Sequence, residues 1–175
     1  MTATHRERPD ASEYAPFYAG YVAGVPDGDI VPTMRKAGDD LIATLAAIPE
    51  SKGAYRYADG KWSVREVIGH MIDAERIFSY RALRIGRGDA TPLPGFEEGD
   101  YSKTAGSDSR TMKDLVAEMA SVRVSTLQLL ESFPEDAWMH RGVASNAAVS
   151  TRAIAWIMTG HAIHHLKVLK ERYGI

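Results

Sequence analysis

Gly160-His161-Ala162-Ile163-His164-His165 puts half of the chain's six histidines into one short run. On an α-helix, residues four apart share a face, so His161 and His165 can aim at one point. At about 100° per residue, His165 stands roughly 40° to one side of His161 and His164 roughly 60° to the other. Ile154, Met158, Val168 and Leu169 fall on the arc centred near His165. Lys167, Lys170 and Glu171 lie on the side that His164 faces. The apolar stripe therefore turns His161 and His165 inward and leaves His164 at its edge. Two inward imidazoles at this spacing are half of a metal site.

Upstream, three more stretches have helical period. Asp29 is an N-cap for a first helix, with Ile30, Met34, Leu41, Leu45 and Ile48 on its stripe and Pro49 ending it. Ser63 and Glu66 have capping-box spacing and open a second helix, which runs to about Gly86 or Gly88. His70, Val67, Ala74, Ile77 and Ile85 share one side of it; Ile68, Ile72 and Leu83 lie on the other. A helix apolar on two sides is buried on two sides. Thr111 and Asp114 open a third helix that Pro134 closes, and Ser150 caps the fourth. No strand pattern stands out. Residues 87–110 hold Pro92, Pro94, Gly95, Gly99 and Gly106, a connection too long for a simple turn between neighbours. Four amphipathic helices with one long crossover between the second and third predict an all-α four-helix bundle. Residues 1–13 read as a mobile N-terminal tail and 14–175 as one domain, beginning with an aromatic arm of Tyr14, Phe17, Tyr18 and Tyr21.

The chain has 175 residues, 45% apolar and 25% charged, with a formal net charge of −2. That balance argues against nucleic-acid binding, which favours a basic excess. There is no cysteine, which excludes disulfides, thiolate ligands and a cysteine nucleophile. Any metal must be held by His, Asp or Glu. No apolar run is long enough to span a membrane, and the polar start lacks a signal core, so the expected location is the cytoplasm.

A site with an open position needs a third ligand. His5 lies in the tail and His140 in a loop, which leaves His70, mid-helix on the core face. Three imidazoles suit zinc, nickel or iron alike. Asp73 and Glu66 are the candidate catalytic carboxylates: each lies within a turn of His70 and could orient an imidazole or act as a base. Glu66 also has its capping-box reading, and Glu75 points away and reads as structural. Arg81 shares His70's side and reads as half of a core ion pair. Trp156 and Ile163 lie on the back of the last helix. With Ile68, Ile72 and Leu83 they make a second apolar surface, which predicts a homodimer.

Gly60-Lys61-Trp62-Ser63-Val64-Arg65-Glu66-Val67-Ile68-Gly69-His70, then Tyr80-Arg81-Ala82-Leu83, Thr91-Pro92-Leu93-Pro94-Gly95-Phe96 and the terminal histidine run resemble the DinB superfamily, in its YfiT-like branch. The resemblance implies an up-down-down-up four-helix bundle, frequent dimerisation and a three-histidine metal site at His70, His161 and His165. It also implies a metal-dependent hydrolase, or an enzyme that uses a low-molecular-weight thiol such as bacillithiol or mycothiol, activated as thiolate. The substrate is then a small molecule. A non-catalytic dimeric metal-binding or stress-related module is the competing reading.

Overall fold

The computed structural model describes residues 5–175. Four long helices make the body: α2 (Ile30–Ala46), α3 (Val64–Gly86), α5 (Met112–Glu131) and α6 (Thr151–Tyr173). Two short ones, α1 (Ala19–Ala23) and α4 (Glu98–Thr104), sit in the arm and in the long connection. None of the described helices is long and apolar enough to cross a membrane. The starts of the long helices are fixed locally. Asp29 accepts from Val31 N–H, Thr111 from Asp114 N–H and Ser150 from Ala153 N–H. Ser63 and Glu66 close a reciprocal box at the start of α3.

Contacts at the helix ends set the directions. Asp108, just before α5, binds Ser63 and Arg56 beside the start of α3, while Arg87 at the end of α3 lies over Phe133 just past α5. The two helices therefore run parallel. Arg35 of α2 pairs with Glu131 at the end of α5, and Glu50, past the end of α2, accepts from Met112 N–H at its start. These helices are antiparallel. So are α3 and α6, because Tyr173 donates to the Trp62 carbonyl and His140 meets the Gly86 carbonyl. The result is the expected up-down-down-up bundle, with the crossover between α3 and α5 running back along its length.

Between two apolar clusters lies a polar layer. There Glu75 of α3 accepts two hydrogen bonds from Arg123 of α5, at 2.8 and 2.7 Å, and both side chains are buried. This is the structural role read for Glu75.

Several expectations are corrected. The segment 141–150 forms an antiparallel hairpin, β1 (Arg141–Ala144) and β2 (Ala147–Ser150). Its two-residue turn, Ser145-Asn146, has positive φ at both positions, the geometry that suits a tight hairpin. Four-residue strands are too short to leave an alternating signature in sequence.

The tail reading fails for residues 5–13; residues 1–4 lie outside the described residues. Arg8 donates to the Val22 and Val25 carbonyls, and buried Glu13 pairs with Arg152 and Ser150. The arm continues over α6, where the Tyr21 carbonyl seats on Gly160. A Cβ there would stand 2.1 Å from that oxygen, so only glycine permits the approach.

Three of the five residues of the second apolar surface, Ile68, Ile72 and Trp156, are covered within the chain, while Ile163 is half-buried, which weakens the argument for a homodimer. Ile68 and Ile72 are buried because α3 packs on both α5 and α6. Trp156 is buried under the arm, donating to the Arg6 carbonyl with Arg8 over its ring. Leu83 alone of the row on α3 is exposed.

Candidate metal centre

α3 and α6 meet where they carry their inward histidines, one on α3 and two on α6. His70 Nε2 lies 3.0 Å from His161 Nε2, which lies 3.1 Å from His165 Nε2. His70 and His161 are buried, and His165 is half-buried. One ring nitrogen of each residue falls within 4.8 Å of the other two. His164 is exposed and points away, as the stripe requires.

Three imidazoles this close cannot all be cationic. Burial pushes the pKa of His70 down to about 4. Burial, reinforced by His70 and His164, pushes that of His165 down to about 3. His161 is held well below the usual imidazole range by burial and by the neighbouring histidines. The neutral form leaves a lone pair free on each ring, which is the state a metal needs.

Aromatic side chains wall the cluster. Trp62 packs at a tilt against His70 at 4.9 Å, Tyr21 meets His161 edge-on at 5.5 Å, and Phe78 lies 6.2 Å from His161. Outside them a cavity of about 240 Å³ opens, bounded by the arm (Phe17, Tyr18, Tyr21), by Phe96 and Glu98 of the crossover and by Ser145 of the hairpin. Glu98 brings an oxygen to 4.0 Å from His70 Nε2 while remaining largely exposed.

Neither sequence-derived carboxylate takes the place expected of it. Glu66 accepts from Ser63 N–H and pairs with Arg56, so its oxygens serve the start of α3. Asp73 is half-buried on the side of α3 that faces Arg76, Arg110 and Glu118, and its pKa is raised by burial. Among the described residues neither bonds to an imidazole. Among the described residues Arg81 forms no ion pair; it donates to the Pro94 carbonyl and to Ser145 Oγ, both at 2.9 Å. Glu98 is the carboxylate that sequence reasoning missed. It lies 28 positions from His70, and only the path of the crossover brings the two together.

The "Putative metal-dependent hydrolase" of Geobacillus thermodenitrificans strain NG80-2 is 26% identical over 149 residues, covering 82% of this chain and 84% of that protein. The fold is similar to that of YfiT from Bacillus subtilis, described as a probable metal-dependent hydrolase with an unusual four-helix bundle topology. The TM-score is 0.72 at 16% identity, over 95% of this chain and 93% of that one. A mycothiol-dependent maleylpyruvate isomerase gives a TM-score of 0.65 at 16% identity, over 78% of this chain and 58% of its own. At such identities these likenesses concern the fold. The model of the DinB superfamily matches residues 33–169, from α2 through all three clustered histidines. On that match, the chain belongs to the DinB superfamily.

Proposed function

We propose that His70, His161 and His165 hold one divalent metal ion, and that the chain is an enzyme that activates water or a low-molecular-weight thiol against a small electrophilic substrate. The observation that carries this reading is the cluster itself: three imidazoles, drawn from two helices and packed to 3.0 and 3.1 Å. Tetrahedral ligands at 2.0–2.1 Å from zinc stand about 3.3 Å apart, close to that spacing. A neutral imidazole can donate its N–H to another at this distance, but His161 Nε2 meets both other rings with only one hydrogen or one lone pair, and a shared ion accounts for all three converging on it. Zinc, nickel and iron all accept three imidazoles, and the donor set does not choose among them. Bound there, such an ion would lower the pKa of a coordinated water or thiol and so supply a nucleophile at neutral pH.

The chain's own residues supply the rest. Glu98, at the cavity edge and 4.0 Å from His70, is placed to take the proton that the nucleophile gives up. It holds that proton within reach of the cavity, where it can return to a leaving group. Tyr21, Phe78 and Phe96 limit water at the inner wall and offer apolar surface to a substrate. Asp73 and Glu66 have no part in this scheme.

The test joins metal content and turnover. Metal-loaded protein is assayed with p-nitrophenyl acetate, and with 1-chloro-2,4-dinitrobenzene in the presence and absence of bacillithiol. The wild type should carry one equivalent of metal per chain and turn over one of these probes. His165→Ala should lose most of the metal while its helical circular dichroism is retained. Glu98→Gln should keep the metal and lose about 10²–10⁴-fold in rate, the usual contribution of general-base catalysis. A wild type that binds no metal would overturn the reading. Full activity in Glu98→Gln would remove the role of Glu98.

A further inference from the structure

Arg81 is a buried cation without a counter-charge. It is 3% exposed, on the same helix as His70 and three turns further along. The other buried arginine, Arg123, is matched oxygen for nitrogen by Glu75. The other arginines along the exposed side of α3 are paired as well, Arg76 with Glu118 and Arg84 with Asp89. Among the described residues no carboxylate pairs with Arg81. Its Nη2 donates to the Pro94 carbonyl and Ser145 Oγ, both neutral acceptors. Its Nε and Nη1 hydrogens have no acceptor within the described protein. Phe78 and Phe96 flank the guanidinium at 5.7 and 5.9 Å, which offers it π-faces but no opposite charge. Burying a cation is costly unless an anion meets it, so an arginine left this way is held for an anion from outside.

The space for that anion is beside it. A pocket of about 280 Å³ is lined by Arg81, Tyr80, Leu93, Pro94, Phe96 and Tyr101. Arg76 also lines it, but that guanidinium is half-exposed and already paired with Glu118. The remaining walls are mainly apolar, and Phe96 and Tyr101 pack together at 5.2 Å along one side. Phe96 also lines the cavity over the histidines, so one side chain separates the two spaces. Phe78 links them from below, with its ring against both His161 and Arg81.

We propose that this pocket binds a carboxylate carried on a small apolar or aromatic body, with the carboxylate on Arg81 and the body between Leu93, Phe96 and Tyr101. The binding claim is independent of the metal chemistry. That the bound acid is part of the substrate, anchored beside the reacting centre, rests on the reading in the preceding subsection. Arg81 is then a residue that sets specificity and position: it meets the substrate away from the bond that changes.

Phenylacetate and its neutral analogue phenylacetamide are the probes, titrated into the full chain in both metal-loaded and chelator-treated form. Binding is read by calorimetry and by the aromatic NMR signals of Phe96 and Tyr101. The acid should bind at least about tenfold more tightly than the amide in both forms, since a charged hydrogen-bond partner is lost with the amide. Arg81→Gln should abolish that preference without changing metal content, and Arg81→Lys should keep part of it. Equal binding of acid and amide by the wild type would overturn the proposal, and this comparison needs no variant to fold. A preference that appears only in the metal-loaded form would place the carboxylate on the metal and equally overturn it. Binding of inorganic phosphate with no binding of phenylacetate would overturn the assignment to a carboxylate. Metal content, read on the same samples, keeps a failure here distinct from a failure of the metal centre.

Discussion

His70 and His165 have pKa values pushed down to about 4 and about 3, with burial as the main cause, and His161 is lowered with them. In an unfolded chain the same side chains titrate near 6.5. Between about pH 6.5 and 4 the unfolded state therefore binds protons that the native state does not. Stability is complete above about 6.5 and falls as pH drops through this window, by about 1.4 kcal/mol per pH unit for each proton taken up. Urea unfolding of chelator-treated protein should give a clearly lower midpoint at pH 5.0 than at pH 7.5. His165→Asn should narrow the difference by removing one titrating group. Identical midpoints at the two pH values would mean that the imidazoles are not desolvated. The same depressed values keep all three rings neutral at physiological pH, so the neutrality that the proposed metal binding needs and the acid sensitivity share one cause.

At the scale of elements, the Glu75–Arg123 pair joins three of the four long helices. Arg123 of α5 grips Glu75 of α3 with two nitrogens and reaches the Met34 carbonyl of α2 with a third. Its aliphatic part packs on Gly38 of α2. Arg123→Met would leave Glu75 buried without a partner, which costs about 3–5 kcal/mol. Glu75→Leu with Arg123→Met removes both charges and should recover most of that loss. Urea unfolding of each single variant and the double closes the cycle. A cost below about 1 kcal/mol for Arg123→Met would show that water reaches Glu75 readily. Because His70 lies on the same helix as Glu75, this pair also fixes the level at which α3 presents His70 to the cluster.

For the whole molecule, α3 is the element surrounded on most sides: α5 and α6 flank it, and α4 of the crossover contacts it as well. The Ile68 and Ile72 part of its second apolar row is therefore core, and only Leu83, near its end, stays exposed. Ile72 is 2% exposed within one chain, and Ile72→Glu would bury a carboxylate where the other side chains are apolar. We expect loss of the cooperative thermal transition in Ile72→Glu, measured by circular dichroism. A variant that stays folded and merely halves its mass in light scattering would instead place Ile72 between subunits. The arm adds to the enclosure, since Trp156 and Gly160 of α6 are covered by residues 6–22.

The sequence determined what a single turn of helix decides. The caps at Asp29, Ser63, Thr111 and Ser150 act within three residues, so their signals are complete in the sequence. The facing of His161 and His165, and the exposure of His164, follow from the helical period and one apolar stripe. His70 could be selected because few histidines competed with it. Other features depended on which distant segment arrives, and there the sequence carries no local signal. Ile68, Ile72 and Trp156 read as a spare surface because their covers come from other elements. Glu98 reaches His70 only through the course of the crossover. Arg81 meets a carbonyl and a hydroxyl where a carboxylate was expected, because the crossover and the hairpin turn, rather than an acidic helix face, close over it. Period and capping are set by bonds a few residues long. Covering and pairing are set by loop closure, whose entropic cost varies slowly with length and so leaves many pairings open until the whole core selects one.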